Sequence, residues 1–249
     1  MRRAGFDAFI AEFKRDAAAK GVSQKGPSAL NGLTLDPSVL ADKRQGVFKQ
    51  TFEEFSRRMI SRDCVTKGMR HMQTLAPVFK KVEVVRRAGR GPRRDLGSRN
   101  QLRRQPRQER GDPLGRHPGV RLPPHRNVPG PTDSLRIVER GDLRPAEMLG
   151  DWAGDFGQTQ FLPSSYYKYA VDFDGDGRRD LVHSIPDVLA STANYLKGYG
   201  WQRGQRWNEG DPNFEAVRGW NKAMVYAKTI AAFAERLEGG AARAEEPRR

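Results

Sequence analysis

Apolar residues recur at helical spacing along most of this chain and cease to do so in one interval. Phe6, Phe9, Ile10 and Phe13 fall on one face of a helix predicted over 6–20. The stretch 21–37 carries the turn signals GVS, GPS and NGL, and Asp36-Pro37-Ser38 offers a start for the next helix. Phe48, Phe52 and Phe55 share a face of another, and the helical pattern continues from 59 to 79. Further on, Pro186-Asp187 opens a run with Val188, Leu189, Ala193 and Leu196 in helical register. These stripes predict a mainly α fold whose aromatic faces serve as core.

From 82 to 133 the periodicity ends. That interval holds no Ile, Phe, Tyr, Trp, Met or Cys, yet it contains 8 of the chain's 16 prolines. It cannot bury enough apolar surface to offset the entropy of ordering, and proline breaks helices. The expectation is a disordered Arg/Pro/Gly-rich segment. It separates an N-terminal helical part, 1–81, from a C-terminal part, 134–240, with a tail at 241–249. A structureless insert of that length is unusual inside a compact domain.

A formal charge of +15 on 249 residues invites a nucleic-acid partner. Its placement argues otherwise. Residues 82–133 alone hold thirteen arginines, no lysine and five acidic residues, a net +8, while the remainder mixes both signs as a solvated surface does. No aromatic residues interleave with those arginines, as base stacking needs, so a nucleic-acid binder ranks last. The single cysteine, Cys64, excludes an intrachain disulfide. No apolar run reaches bilayer-spanning length. The opening MRRAGFDAFIAEFKRDAAAKG has no apolar core of the signal-peptide kind, so the chain as written is expected to stay in the cytoplasm.

Two short patterns carry candidate chemistry. Gly154, Gly157, Gln158, Gln160, Pro163, Ser164 and Ser165 form a turn-rich, amide-rich stretch without charge. Such a wall suits a polyhydroxylated, N-acetylated ligand better than an anion. Next, Asp172, Asp174, Asp176 and Asp180 alternate with Gly175 and Gly177, the pattern of a loop that wraps a hard cation in oxygen ligands. The twelfth loop position is His183 rather than a bidentate Glu, so a plain Asx-turn loop without metal is the competing reading.

Together GQTQFLPSSYYKYAVDFDGDGRRD and PDVLASTANYLKGYGW resemble the membrane-bound lytic murein transglycosylase B family, enzymes that cut bacterial peptidoglycan glycan strands. The likeness extends to RQGVFKQTFEEF, LRIVERGDL and WNKAMVYAKTIAAFAERL, and fails between the two flanks. It implies a lysozyme-like transglycosylase domain with a helical lobe and a small EF-hand-like calcium loop, and residence in the periplasm or at the outer membrane. It implies that Gln160 contacts acetamido groups and that Asn221 and Tyr226 line the cleft. Ser164 and Tyr166 join them as substrate-binding candidates, Tyr166 as a sugar platform; the competing roles are a turn amide for Gln160, capping and packing for Ser164 and Tyr166, and a helix-packing pair for Asn221 and Tyr226. It implies calcium ligands at Asp172, Asp174, Asp176 and Asp187, a structural ion, with no cofactor required for the chemistry.

That chemistry needs one Glu, which protonates the glycosidic oxygen and then acts as base while the sugar's 6-hydroxyl closes a 1,6-anhydro ring. No carboxylate stands at the matching place. Arg93 to Gln105, RRDLGSRNQLRRQ, admits legal codons that read Val-Ala-Ile-Trp-Gly-Leu-Glu-Thr-Asn-Phe-Gly-Ala one nucleotide downstream, which is similar to the family's catalytic motif. Under the same shift, His117 to Pro129 reads as a second family-like helix. The expectation is therefore a pair of compensating frameshifts, with the family Glu codon straddling Arg99 and Asn100. An evolved Arg-rich linker is the alternative. Three readings follow in order: a murein-cleaving enzyme or its damaged copy, a non-catalytic peptidoglycan-binding remnant, and a nucleic-acid binder.

Overall fold

A computed structural model of the chain describes residues 3–33, 50–87, 131–148, 150 and 154–245. Among these, helices account for the regular structure, and the only extended pairings are isolated bridges at Gly150–Phe156 and Phe156–Phe161. The expectation of a mainly α fold holds. The helix start at Asp36, the face at Phe48 and most of the arginine-rich interval lie outside the described residues.

The chain divides into two units, Met1–Lys43 with Ala88–Ser191, and Arg44–Arg87 with Thr192–Arg249. In the first, α1 (Arg3–Ala19) turns Ile10, Phe13 and Ala17 inward, with the Phe9 and Phe13 rings stacked 6.2 Å apart. The short α2 (Lys25–Ser28) packs on α5 (Pro131–Arg140) through Gly26. A Cβ at Gly26 would lie 2.6 Å from Val22 Cγ1 and 3.2 Å from Leu135, so glycine permits this approach. Leu135, Ile137 and Val138 bury one face of α5. A 3₁₀ turn (Pro145–Glu147) leads on to α6 (Pro163–Tyr169), which packs on α5 and has proline in its first turn, where no amide partner is lost.

The second unit contains α3 (Phe52–Met59), α4 (Arg62–Arg87), α8 (Phe214–Trp220) and α9 (Met224–Glu245). Helix α3 starts with a capping box: Glu54 N donates to Thr51 Oγ1, and Thr51 N donates to the Glu54 carboxylate. Ala223, just ahead of α9, and Ala227 and Ala231 within it are buried at four-residue spacing, where small side chains let neighbours come close. Phe214, Val217 and Ala227 form a cluster against which Trp201 and Trp207 pack. Asn213, fully buried, donates to the carbonyls of Gln202 and Gln205 and accepts from Gln202 N, stapling the loop before α8. Helix α7 (Ile185–Gly198) contributes its first half to one unit and its second half to the other.

Described helices reach into both ends of the arginine-rich interval. Helix α4 runs past 81 to Arg87, ending ahead of Gly89. Helix α5 begins at Pro131, since proline is well placed in a first turn. Among the described residues no helix is long and apolar enough to cross a membrane.

Candidate functional site

The amide-rich stretch forms a tight hairpin. Phe156 and Phe161 exchange backbone hydrogen bonds at 3.1 and 3.0 Å, closing the four-residue loop Gly157-Gln158-Thr159-Gln160. Both phenylalanines are buried, and Phe156 lies 5.2 Å from the Tyr166 ring. Gly157 has φ 82°, and a Cβ there would stand 2.8 Å from the Leu181 carbonyl. Gln160 has φ 50°, the one described non-glycine residue in the left-handed region, and its side chain is exposed. Such strain persists only where surrounding contacts impose it.

Ser164 is half-buried on the first turn of α6. Tyr166 corrects an expectation. Its side chain is fully buried, its hydroxyl donates to the Arg179 carbonyl and accepts from Leu181 N at 3.2 Å, and burial pushes its pKa upward. A ring with no open face cannot stack on a sugar; it pins α6 to the acidic loop.

That loop folds around its own carboxylates. Asp172 accepts from Gly175 N at 2.8 Å and Gly177 N at 3.0 Å, both glycines having positive φ. Asp174 accepts from Asp176 N and from Ser184 Oγ at 2.8 Å. Asp187, fully buried in the first turn of α7, accepts from Phe173 N at 2.7 Å, Asp174 N at 3.4 Å and Asp180 N at 2.8 Å. Burial nevertheless pushes its carboxyl up to about 7, aided by the negative charge of Asp174. Carboxylate oxygens of Asp172, Asp174 and Asp187 lie within 4.8 Å of one another, a hard-oxygen set that fits a divalent cation. Asp176, expected among the ligands, stands outside that group: it is exposed, and its Oδ1 caps the turn by accepting from Arg178 N at 2.8 Å.

A buried charge network, which spacing did not reveal, braces the loop from behind. Asp142 is fully buried and paired with Arg140 and, at 3.1 Å, with Arg179. The Arg178 guanidinium donates twice to the Asp142 carbonyl and reaches Glu147 at 3.4 Å. Arg144 bonds Glu147 through both its backbone N–H and its guanidinium, holding the carboxyl at about 2, below its ordinary 4.5. A depressed carboxyl stabilises the fold above its unfolded pKa and loses that contribution as pH falls through the folded one. Thermal melts of the wild type are expected to drop between pH 4.5 and 2 by more than those of Glu147→Gln. Equal acid sensitivity of the two would refute this.

Asn221 and Tyr226 belong to the second unit. Asn221 Oδ1 accepts from Ala223 N at 2.9 Å, an Asx turn leading into α9, and Tyr226 lies half-buried with its ring 6.3 Å from Phe55. The positions expected to replace the family's acid, Arg99 and Asn100, lie outside the described residues.

These elements define the lysozyme-like, mainly helical fold of lytic transglycosylases. SltB3 from Pseudomonas aeruginosa, solved with NAG-anhNAM-pentapeptide, matches with a TM-score of 0.75 at 23% identity, covering 94% of this chain and 80% of that one. Escherichia coli lytic transglycosylase Slt35, solved in complex with calcium, matches with a TM-score of 0.64 at 18% identity, over 95% of this chain and 94% of that one. The sequence profile of the Transglycosylase SLT domain family covers residues 5–85 and 132–211, and the chain belongs to that family. Membrane-bound lytic murein transglycosylase B of Escherichia coli strain K12 is 47% identical over 62 residues, 25% of this chain but 17% of the relative's length.

Proposed function

We propose that this chain is a lytic murein transglycosylase domain that retains a glycan-binding wall but, as written, lacks the acid that cleaves. The observation that carries the reading is Gln160: an exposed carboxamide held at φ 50° on a hairpin whose flanking phenylalanines are buried. Its amide can both donate to and accept from an N-acetyl group. In a competent enzyme a Glu would protonate the bond between N-acetylmuramic acid and N-acetylglucosamine, and the 6-hydroxyl would close the anhydro ring. Here the matching position falls at Arg99 and Asn100, neither of which is a carboxylate. The frameshift reading is supported by the family match, which passes over 86–131 and resumes beyond it.

Asp172, Asp174 and Asp187 would hold calcium, with Asp176 at the loop's outer edge. When bound, the ion neutralises the carboxylates and stiffens the loop, taking no part in bond breaking. Ser164, Asn221 and Tyr226 remain proposed substrate contacts. The proposed setting is the periplasm or outer membrane, where peptidoglycan glycan strands are the partner.

Incubation with purified murein sacculi tests this reading. Co-pelleting without release of anhydro-muropeptides is expected; failure to pellet, together with a salt-dependent shift of random DNA, would favour the nucleic-acid reading instead. Gln160→Gly is expected to keep stability within about 1 kcal/mol, since relieved strain and added unfolded-state entropy oppose each other. It should also weaken sacculus retention, whereas a purely structural Gln160 predicts unchanged retention.

A further inference from the structure

We infer that Gln158 is a positioning residue that couples the cation loop to the Gln160 wall; this rests on the glycan-binding reading above. The wall is fastened to the residues that end the acidic loop by two hydrogen bonds from a single residue. Gln158 N donates to the Leu181 carbonyl at 2.9 Å, and Gln158 Nε2 donates to the Val182 carbonyl at 3.0 Å. Leu181 and Val182 are in turn held from the loop side. Asp180 N donates to Asp187 Oδ2 at 2.8 Å, Val182 N donates to Asp180 Oδ1 at 2.9 Å, and Leu181 N donates to the Tyr166 hydroxyl. Asp187 is one of the three clustered carboxylates, so the path from the cation cluster to the hairpin is four residues long and hydrogen-bonded throughout.

Geometry explains why this path bears on Gln160. A hairpin loop of four residues has little freedom once two of them are fixed. Gly157 lies against the Leu181 carbonyl and Gln158 is bound twice. Gln160 N then closes the turn by donating to the Gly157 carbonyl at 3.2 Å, which leaves Gln160 in the left-handed region. Moving Leu181 and Val182 therefore moves the exposed carboxamide. The chain positions Gln160 through Gln158, and a cation that orders Asp172, Asp174 and Asp187 orders the ligand wall as well.

Amide hydrogen exchange over 156–161, with and without calcium, tests the coupling without any glycan. In the full chain, calcium is expected to raise the melting temperature and to slow exchange of this segment by about tenfold, the effect of one side-chain hydrogen bond. In Gln158→Met, which keeps side-chain length but not the donor, the calcium-induced melting shift should persist while the slowing disappears; Gln158→Asn is the second variant, too short to reach Val182. Sacculus pelleting should depend on calcium in the wild type and not in Gln158→Met. The inference is overturned if calcium leaves the melting temperature or the exchange of 156–161 unchanged in the wild type, or slows it equally in Gln158→Met. Slowed exchange without sacculus binding under either condition would keep the coupling and reject the glycan reading.

Discussion

Sacculi treated with this chain should release at least about a hundredfold less anhydro-muropeptide than sacculi treated with a frame-restored version, because a general acid contributes roughly 10²- to 10⁴-fold. Under the proposed frameshift, the restored gene would lose one nucleotide ahead of Arg93 and regain it before Leu135, which would place a Glu codon across Arg99 and Asn100. Asp95, Glu109 and Asp112 lie nearby in sequence. They sit in a proline- and arginine-rich segment without Ile, Met or any aromatic residue to help hold a carboxyl in place, and catalysis tolerates little misplacement. Glu109→Gln and Asp112→Asn are therefore expected to change nothing. Robust release by the chain as written, abolished by either substitution, would sink the account. So would independent gene reads showing one clean frame together with a restored version that remains inactive.

Asp187→Ala should be the most damaging single change in the acidic loop. It removes the acceptor of three backbone N–H groups at a fully buried site, which costs on the order of 3–5 kcal/mol. The calcium-induced rise in melting temperature should vanish with it. Asp176→Asn provides the contrast: Asp176 is exposed and outside the three-carboxylate group, so the substitution should cost under about 0.5 kcal/mol and leave most of the calcium response. Differential scanning calorimetry with calcium and with chelator measures both. If the wild type shows no calcium response and Asp187→Ala melts within a degree of it, the loop is only an Asx-turn surface feature.

The acidic loop and the hairpin were legible to different depths. Glycines at 175 and 177 and aspartates at 172, 174 and 176 announce turns whose hydrogen bonds span two to five residues, and those bonds are present. The start of α7 was equally visible, with Ser184 Oγ accepting from Asp187 N ahead of the Pro186-Asp187 pair. Which aspartates converge was not visible, because Asp187 arrives from the next helix while Asp176, at the centre of the motif, turns outward.

Tyr166 is the sharpest case. In sequence it stands beside Tyr167 and near Tyr169, three aromatic rings in one short helix with nothing local to rank them. Tyr166 is completely buried, with Phe156 and the end of the acidic loop as its partners, whereas Tyr167 stays exposed with the Arg140 guanidinium 4.8 Å from its ring. Sequence alone likewise groups Gln158 with Gln160 as one wall, though one is an anchor and the other a presented amide.

Helical stripes, turn glycines and the Asp-rich loop are properties of neighbours two to five residues apart, so the chain's own order determined them. The burial of Asp142, Asp187 and Tyr166, and the reach of Gln158 across 24 residues to Val182, were decided only when distant segments met. Local spacing sets backbone geometry, but desolvation and long-range hydrogen bonding depend on what lies opposite, and only the tertiary fold supplies that.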